Sequence, residues 1–266
     1  MKTILITMII GLLFLTGCSM PQPGQPWEYP HGLDINNQST ITIAAWNLQI
    51  FGDKKANNDT ILNQYVDIIN DYDIIFLQEI RDEDGTASSK LISKLPEYNC
   101  KLSSRAGSTT MKEQYLLCYK NIKLDMLEDY NLNPTQIGRF ERPPIQAQFS
   151  KNNLTFTIYG IHIDPDKVET ELQNLFGITA APNSITIGDL NADCNYYDPT
   201  TKTWFDTQIF DWLIKDNQDT TSGNSNCAYD RIIIAKHFSQ HIGNSGIRTT
   251  PKELSDHYLI WMEVKT

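Results

Sequence analysis

The 266-residue sequence contains no cluster of cysteine and histidine and no long run of lysine and arginine. Its five cysteines and five histidines are scattered, so the ligand spacing of a structural zinc site is missing and that class of site is excluded. The 32 acidic residues outnumber the 22 basic ones, and the formal net charge is −10. Because non-specific attraction to phosphate polymers depends on Lys and Arg, this composition excludes a simple polybasic binding module.

The sequence also lacks an apolar run long enough for a stable transmembrane helix. Its N-terminal run, from Ile4 to Leu15, follows Lys2 and has the length of the apolar region of a signal peptide. The run leads into the string LTGC, which ends at Cys18 and resembles the cleavage box of bacterial lipoproteins. We therefore predict a lipoprotein signal peptide over residues 1–17 and lipidation of Cys18. The protein is then expected outside the cell, lipid-anchored at the bacterial envelope, and on the outer membrane if the cell has two membranes.

The segment over residues 18–38 carries repeated prolines and no apolar periodicity. Proline-rich polar segments act as semi-rigid spacers, so we predict that this segment is a tether. Residues 39–266 are enough for one domain with a substantial core, and no internal repeat divides them. Apolar strand patterns alternate there with few helices, which are predicted over residues 57–70, 87–95, 166–176 and 203–214.

Polar side chains follow several of the apolar runs. The string ITIAAWN ends at Asn47, IIFLQE ends at Glu79, and TFTIYGIH ends at His162. Asp, Asn and Glu oxygens are hard ligands that suit Mg²⁺, although an Asx residue can also begin a turn and a histidine can be a satisfied group at a strand end. Their recurrence at the ends of five runs predicts a divalent-cation site that hydrolyses a phosphate ester. The strings IGDLNADC, CAYDR and SDH add the candidates Asp189, Asn191, Asp230, Asp256 and His257.

The motifs IAAWN, QEIRD, MKEQYL, FERPP, IHIDP, GDLNADC and SDHY follow one another along the chain. In this order they resemble the deoxyribonuclease I family, within the endonuclease/exonuclease/phosphatase superfamily. The resemblance begins near Ile41, reaches the C-terminus, and is most specific from Phe210 to Ile234. It implies an α/β fold, a four-layer α/β/β/α sandwich of two packed, mainly antiparallel or mixed sheets flanked by helices.

The resemblance also implies roles for the candidate site residues. His162 and His257 are expected to form the acid–base pair, with Glu113 orienting the first histidine and Asp230 the second. Asn191 is expected to contact the phosphate or a second cation. A Mg²⁺ or Mn²⁺ ion is expected to be held against the scissile phosphate by Glu79, Asn47, Asp189 and Asp256.

Contacts with DNA are implied one residue at a time. Arg142, in FERPP, matches an arginine that binds phosphate, for which a planar guanidinium is suited. Arg81 matches an arginine that enters the minor groove, where the readout of sequence is degenerate. Tyr196 and Tyr229 match tyrosines near the DNA-binding face. Little sequence specificity is therefore expected.

Two cysteine pairs are predicted on different grounds. Cys100 and Cys118 lie in two strand-like segments on either side of a turn, which favours a cross-strand disulfide, with a pair of free buried thiols as the alternative. The resemblance assigns Cys194 to Cys227. It also implies a structural calcium site in the loop that this bridge would close, with oxygens from Asp219, Thr221 and Ser225.

The chain departs from the family's pattern in two loops. Ser108, Thr109 and Met111 stand where the family has larger residues that contact the DNA groove, so weaker groove contacts are expected. Gly138 and Pro143 stand where the carboxylates of another calcium site would be, so that site is expected to be absent.

These observations predict a membrane-tethered, metal-dependent endonuclease that cuts double-stranded DNA with little specificity and leaves 5′-phosphate ends. Because the protein is acidic, divalent cations must supply the positive charge at the interface with DNA. The alternatives are a phosphodiesterase of the same superfamily, acting on sphingomyelin, inositol phosphates or abasic DNA, and a surface lipoprotein that binds DNA or a protein without cutting. A monomer is expected. Actin binding is not expected, because Cys100 and Leu102 occupy the strand that would make that contact.

Overall fold

Two six-stranded β-sheets lie at the centre of the fold. The computed structural model describes residues 39–266 with five exceptions, which are Thr109, Met111, Ala180, Ala181 and Ser225. The predicted signal peptide over residues 1–17, the lipidation of Cys18 and the tether over residues 18–38 lie outside the described residues. The strands are β1 (Thr40–Phe51), β2 (Ile74–Ile80), β3 (Asn99–Leu102), β4 (Gln114–Tyr119), β5 (Lys123–Asp129), β6 (Ile145–Lys151), β7 (Leu154–Gly160), β8 (Ser184–Asp189), β9 (Phe210–Trp212), β10 (Asp230–Ala235), β11 (Ile242–Arg248) and β12 (Leu259–Lys265). The helices are α1 (Asp53–Ala56), α2 (Asp59–Ile69), α3 (Thr86–Ser93) and α4 (Val168–Phe176), and short 3₁₀ turns cover Tyr130–Leu132, Pro134–Gln136 and Lys236–His241.

Each sheet has one parallel pair of strands at its middle. The first sheet has the order β11-β12-β1-β2-β4-β3, and the second has the order β5-β6-β7-β8-β10-β9. The pairs β1/β2 and β7/β8 are parallel, and the other described pairs are antiparallel. Two parallel strands need a crossover connection, which α1 and α2 supply in the first sheet and α4 supplies in the second.

Three apolar cores separate four layers. The core between the sheets contains residues of both, among them Phe76 of β2 and Ile232 of β10. On the outer face of the first sheet, Tyr65 of α2 packs with Trp46 of β1. On the outer face of the second sheet, Leu172 of α4 belongs to the third core. Because successive side chains of a strand point to opposite faces, the central strands supply both an inner and an outer core. The predicted α/β/β/α sandwich is confirmed.

Three of the four predicted helices are present, with slightly different ends. They are α2, α3 and α4, which correspond to the predictions over residues 57–70, 87–95 and 166–176. The first of them begins after Asn58, whose Oδ1 accepts hydrogen bonds from the amides of Thr60 and Ile61 at 3.1 and 3.2 Å. Among the described residues, no helix has both the length and the apolar character needed to cross a membrane.

The predicted helix over residues 203–214 is wrong. The carbonyl of Asp206 accepts a hydrogen bond from the amide of Phe210 at 2.9 Å, which closes a turn, and β9 follows at once. This strand pairs with β10 and forms the edge of the second sheet. Phe205 and Trp212 are buried in the third core. The spacing of aromatic residues in this segment resembles the period of a helix, but its pairing with β10 makes it a strand.

Both predicted disulfides are present. Cys100 lies opposite Cys118 in the β3–β4 hairpin, and their Cα atoms are 4.1 Å apart. Cys194 and Cys227 are bridged with a Cα separation of 5.8 Å. The second bridge joins the loop after β8 to the residues just before β10, so it closes the loop that contains Asp219. The alternative of free thiols at Cys100 and Cys118 is therefore wrong.

Candidate active site

Most of the candidate residues lie at one edge of the molecule for a topological reason. Asn47 and Glu79 lie near the carboxyl ends of the parallel strands β1 and β2. His162 follows β7, and Asp189 ends its parallel partner β8. The strands β4, β10 and β12 are antiparallel to their neighbours β2, β8 and β1, so they begin at the same edge. Their beginnings add Glu113, Asp230 and His257.

Two histidine–carboxylate pairs meet at this edge. His162 Nδ1 lies 2.7 Å from Glu113 Oε1, and His257 Nδ1 lies 2.8 Å from Asp230 Oδ2. The Nε2 atoms of His162 and His257 lie 3.4 and 3.6 Å from the same atom, Asp189 Oδ2. Each pair therefore fixes the orientation of its imidazole ring and leaves Nε2 directed at a shared point. This is the geometry of two positioned proton carriers.

The carboxylates raise the pKa of both histidines. Burial disfavours a charged imidazole, but the negative charge of Glu113 outweighs it and the pKa of His162 is raised. Burial also opposes the charge of His257, and Asp230 and Asp189 outweigh it, so that the pKa of His257 rises to about 10. In both pairs the attraction of the carboxylate therefore exceeds the effect of burial on the imidazole pKa.

The three carboxyl groups beside the histidines respond differently to burial. Burial opposes the charge of Asp189, yet the two histidines hold its pKa below the ordinary value. Burial likewise opposes the charge of Glu113, and His162 outweighs it, so the pKa of Glu113 is lowered. For Asp230 burial prevails over the attraction of His257, and the pKa of Asp230 is raised. The pKa of the carboxyl group is therefore lowered in the Glu113–His162 pair and raised in the Asp230–His257 pair.

Backbone in an unfavourable conformation positions the side-chain oxygen atoms next to the two histidines. Asn47 Nδ2 donates to Glu79 Oε1 at 3.2 Å and to Asp189 Oδ2 at 3.1 Å, which joins the two sheets at this edge. Glu79, Asn191 and Ile50 have φ angles of 58°, 48° and 59°, in the left-handed region that residues other than glycine rarely adopt. In this conformation the Ile50 amide donates to Glu79 Oε2 at 3.0 Å. The strain therefore holds a carboxylate in place.

The donor atoms at this edge suit a hard divalent cation. Glu113 Oε2 and Asp230 Oδ1 are buried and have no hydrogen-bond partner among the residues that the structure describes. A buried carboxylate oxygen of this kind needs a cation or a water molecule to offset the loss of solvation. Two groups of three residues at this edge could each hold an ion, because the ligand atoms within each group lie within 4.8 Å of one another. One group is Glu79, Glu113 and His162, and the other is Asp189, Asp230 and His257.

Asn191 and Asp256 border this edge. The Asn191 amide N–H donates to Asp189 Oδ1 at 3.1 Å, and its Nδ2 donates to the carbonyl of Ile163 at 2.9 Å. Asp256 is half-buried, and its charge is close enough to raise the pKa of His257. Both residues are therefore close to the histidine–carboxylate pairs, as the sequence predicted.

The two candidate DNA-binding arginines lie within the carboxylate network. Arg142 donates from Nε to the carbonyl of His162 and from Nη2 to the carbonyl of Ile163, both at 3.0 Å, and its Nε lies 3.4 Å from Glu113 Oε1. Arg81 Nη2 lies 3.3 Å from Glu79 Oε2 and 3.9 Å from Glu113 Oε2. Each guanidinium thus borders the pair formed by His162 and Glu113.

Tyr196 and Tyr229 form an aromatic pair near the second disulfide. Their ring centroids are 5.4 Å apart with an angle of 38° between the rings, and Tyr196 is 43% exposed. Tyr229 directly precedes Asp230, so the pair adjoins one of the two histidine–carboxylate pairs. An exposed aromatic face at this place is suited to packing against a substrate.

The predicted calcium loop is described in part. Asp219 Oδ1 accepts hydrogen bonds from the amide and the hydroxyl of Thr221, at 3.0 and 3.1 Å, and from the amide of Cys227 at 3.3 Å. Asp219 and Thr221 are therefore adjacent in the folded loop. Ser225, the third predicted ligand, lies outside the described residues.

Sequence reasoning missed two buried side chains that support His162. The hydroxyl of Tyr115 donates to the carbonyl of Arg142 at 3.1 Å and accepts from the amide of His162 at 3.0 Å. Gln78 is fully buried, and its Nε2 donates to the carbonyl of Ile161 at 2.8 Å. The one signal in the sequence was an amide at Gln78 inside an otherwise apolar run, because buried polar groups need a partner.

Lys55 is a third supporting residue that the sequence did not indicate. Its Nζ donates to the carbonyls of Leu48 and Leu254 at 2.6 and 2.7 Å, so it joins the end of β1 to the loop before Asp256. Burial lowers the pKa of Lys55 to about 8, against the attraction of Asp256 and Glu79. No local pattern marks such a residue, because its partners are distant in sequence.

Comparison with known proteins agrees with the fold and shows the family. The profile of the endonuclease/exonuclease/phosphatase family matches residues 44–257. Deoxyribonuclease-1 of Equus caballus is 30% identical over 256 residues, which cover 82% of this chain and 90% of that protein. Deoxyribonuclease-1 of Oryctolagus cuniculus is 33% identical over 220 residues, which cover 74% of this chain and 78% of that protein. A solved structure of an endonuclease/exonuclease/phosphatase family protein from Bacteroides thetaiotaomicron has a TM-score of 0.61 at 15% identity and covers 86% of this chain and 99% of that chain.

Two packed sheets carry two histidine–carboxylate pairs at one edge. The family match spans most of the chain, and the chain belongs to the endonuclease/exonuclease/phosphatase family. Within that family it is similar to mammalian deoxyribonuclease-1 over about three quarters of its length or more. The protein is therefore a phosphodiesterase of the nuclease type.

Proposed function

We propose that this protein is a divalent-metal-dependent endonuclease that hydrolyses double-stranded DNA with little sequence specificity and leaves 5′-phosphate ends. The observation that carries the proposal is the pair of histidines whose Nε2 atoms approach Asp189 Oδ2 at 3.4 and 3.6 Å. Two proton carriers directed at one point suit an in-line displacement at phosphorus, where water enters on one side and an alcohol leaves on the other. The similarity to deoxyribonuclease-1 favours DNA as the substrate.

In the proposed reaction the two histidines have opposite roles. One imidazole takes a proton from the attacking water while the water oxygen bonds to phosphorus. The bond from phosphorus to the 3′-oxygen breaks, and the other histidine, His162 or His257, gives that oxygen its proton. Glu113 and Asp230 hold the rings in the required tautomer through Nδ1. Proton transfer by positioned groups typically contributes about 10²–10⁴-fold in rate.

The proposal includes a Mg²⁺ or Mn²⁺ ion held by Glu79, Asn47, Asp189 and Asp256. Such an ion would supply positive charge against the phosphate oxygens. Asn47 Nδ2 donates to both Glu79 and Asp189, so these three side chains are already gathered, and the carboxylate oxygens of Glu79 and Asp189 are hard donors that fit the ion. Asn47 Oδ1, which accepts from the amide of Gln49 at 2.9 Å, would turn toward the ion to bind it. Asn191, next to Asp189, would contact the phosphate or a second cation.

The remaining predicted contacts form part of the proposal. Beside Glu113, Arg142 would bind a backbone phosphate of the DNA and Arg81 would enter the minor groove. Tyr196 and Tyr229 would pack against the substrate. A Ca²⁺ ion bound by Asp219, Thr221 and Ser225 would order the loop that the Cys194–Cys227 bridge closes.

The proposed location is the outer face of the bacterial envelope, where the lipidated Cys18 and the tether over residues 18–38 would hold the enzyme. The protein would act there as a monomer on extracellular DNA. The signal peptide and the LTGC string support this location. A lipid anchor also favours a second candidate, a phosphodiesterase that acts on membrane phospholipids such as sphingomyelin.

The test is nicking of supercoiled plasmid by the chain from Trp27 onward, in Mg²⁺, in Mg²⁺ with Ca²⁺, and in EDTA. We expect nicking that requires metal and that falls by about 10²-fold or more in His162→Ala, because that variant removes one proton carrier. His237→Ala is the matched control, since His237 is exposed in the 3₁₀ turn Lys236–His241.

A folded protein that cuts no plasmid in Mg²⁺ or in Mg²⁺ with Ca²⁺ would refute the proposed nuclease activity. Sphingomyelin vesicles and a short DNA duplex would then be offered to the same preparation. Release of phosphocholine would support the phospholipid enzyme, and DNA capture without cutting would support a binding protein.

A further inference from the structure

Arg105 lies across the gap between two loops of the site. Its Nη1 donates to the carbonyl of Asp82 at 2.7 Å, and its Nη2 donates to the carbonyl of Lys112 at 3.1 Å. Asp82 directly follows Arg81, and Lys112 directly precedes Glu113. The guanidinium of Arg105 is therefore fixed one residue away from two side chains of the candidate active site.

In the part of the chain that the structure describes, no carboxylate neutralises the positive charge of Arg105. Both of its acceptors are carbonyl oxygens, and over residues 39–266, apart from the five that are not described, no carboxylate forms an ion pair with it. Arg139 also lacks a carboxylate, but its guanidinium donates to the side chains of Asn174 and Gln136. By contrast, carboxylates pair with Arg81, Arg142, Arg231 and Arg248. In a protein of net charge −10, Arg105 thus places a fixed positive charge, without a carboxylate partner among the described residues, beside the site.

The guanidinium of Arg105 also has donors left over. Arginine carries five N–H donors in a planar fork, and the two bonds to Asp82 and Lys112 use two of them. The bond to Lys112 lies at the surface, and Arg105 is half-buried, so part of the fork faces solvent. A planar fork of this kind matches the oxygens of a phosphate group.

The residues after Arg105 are less suited than Arg105 to binding an anion. Ser108 and Thr110 are exposed and uncharged. Lys112 is exposed on a flexible stem, whereas Arg105 is held by bonds to both loops. A cation that is already positioned loses less conformational entropy when it binds a ligand.

We propose that Arg105 binds a backbone phosphate of the DNA strand next to the scissile phosphodiester, on the side of the site formed by Arg81 and Glu113. This assignment rests on the proposed nuclease function and adds a substrate contact to it. The hydrogen bonds from Arg105 to the carbonyls of Asp82 and Lys112 fix the position of the bound phosphate relative to the two histidines.

The experiment measures plasmid nicking by the full-length protein as a function of NaCl at fixed Mg²⁺. Arg105→Gln removes the charge and leaves a polar amide in its place, and Arg105→Lys keeps the charge. Arg248→Gln is the matched control, because Asp71 already neutralises Arg248 at 2.6 Å. Bis(p-nitrophenyl) phosphate, a small diester without flanking phosphates, is the second substrate, and the unfolding temperature of each variant is recorded.

We expect Arg105→Gln to raise the KM for plasmid on the order of fivefold, the effect of one partly exposed charge pair. Its logarithmic salt slope should fall by about 1, because one fewer phosphate is neutralised. Turnover of the small diester should not change, and Arg105→Lys should restore most of the plasmid KM.

Two results would overturn the proposal. One is a wild-type KM and salt slope in Arg105→Gln. The other is an equal loss on plasmid and small diester in both Arg105 variants, which would mean that Arg105 only holds the two loops together. If the wild-type protein hydrolyses the small diester but not DNA, the proposed function itself fails and the assignment of Arg105 fails with it.

Discussion

At the scale of single residues, charge and burial act against each other around Asp189. Burial lowers the pKa of the two histidines that approach this carboxylate, and the carboxylates of Glu113 and Asp230 raise it by more. The proton positions thus depend on pairs of residues that are 49 and 27 positions apart in sequence.

The charge of Glu113 is expected to be essential for orienting His162. Glu113→Gln keeps the shape of the side chain but removes the charge that holds His162 Nδ1 at 2.7 Å. We expect kcat for plasmid nicking to fall about 10²-fold or more while the KM changes little. Glu128→Gln is the control, because Glu128 lies on the edge strand β5 and accepts a hydrogen bond from Asn133 rather than from a histidine. Equal kcat values in the two variants would contradict the orienting role.

The raised pKa of His257 predicts a dependence of stability on pH in metal-free protein. Its folded-state pKa of about 10 exceeds the ordinary value of 6.5, so its ion pair contributes fully below the ordinary pKa and is lost as pH rises toward the folded-state pKa. In EDTA, the free energy of unfolding of the wild type should therefore decline from about pH 7 to about pH 10 by a few kcal/mol. Chemical denaturation across this range measures the decline.

The comparison variant for this experiment is His257→Gln, which has no titrating ring. Its free energy of unfolding should decline less over the same pH range. Parallel declines in the two proteins would show that other groups cause the dependence.

At the scale of secondary-structure elements, the parallel pairs β1/β2 and β7/β8 determine where the chemistry lies. Each pair needs a helical crossover, and each brings two polar strand ends to one edge. The close approach of β7 and β8 depends on Gly188, which has a φ of 139°. A Cβ atom there would lie 2.1 Å from the carbonyl oxygen of Ile161 and 2.8 Å from Gln78 Nε2.

Gly188→Ala is expected to destabilise the fold by about 3 kcal/mol or more. The backbone conformation disfavours a side chain, and the new methyl group would push against the main chain that precedes His162. Urea denaturation measures the change. Gly246→Ala, whose Cβ would meet Trp261 at an ordinary 3.5 Å, is the control and should cost less than about 1 kcal/mol. Similar values for both variants would contradict the close approach.

At the scale of the whole molecule, a net charge of −10 opposes binding to DNA. The candidate interface nevertheless gathers Arg81, Arg105 and Arg142 beside the acidic site. The remaining positive charge must come from divalent cations, so metal is expected to serve binding as well as chemistry.

Nicking should therefore require Mg²⁺ or Mn²⁺ and should weaken as monovalent salt competes with these cations. We expect EDTA to abolish nicking. Raising NaCl from about 50 to about 200 mM should reduce the rate several-fold, mainly through KM. Initial rates on plasmid at several Mg²⁺ concentrations measure the effect, and more Mg²⁺ should partly restore activity. Cutting in EDTA, or rates that do not respond to NaCl, would contradict this electrostatic account.

The sequence by itself determined the types of element and most of the chemistry-bearing residues. Strand runs with polar ends, such as those at Asn47, Glu79 and Asp189, are local patterns, and the Asn58 cap of α2 is local as well. The hairpin around Cys100 and Cys118 could also be predicted, because its pairing spans few residues. The order of motifs was enough to indicate the family.

Only the tertiary structure decided how these residues meet. Several contacts join segments that are remote in sequence. His162 and His257 both approach Asp189, Lys55 donates to the carbonyl of Leu254, and Arg105 donates to the carbonyl of Asp82. The same dependence explains the incorrect helix over residues 203–214, where pairing of β9 with β10 prevailed over local spacing. Local patterns report which face of an element is buried, whereas contacts between distant segments are set by sheet order and packing, which the sequence does not display.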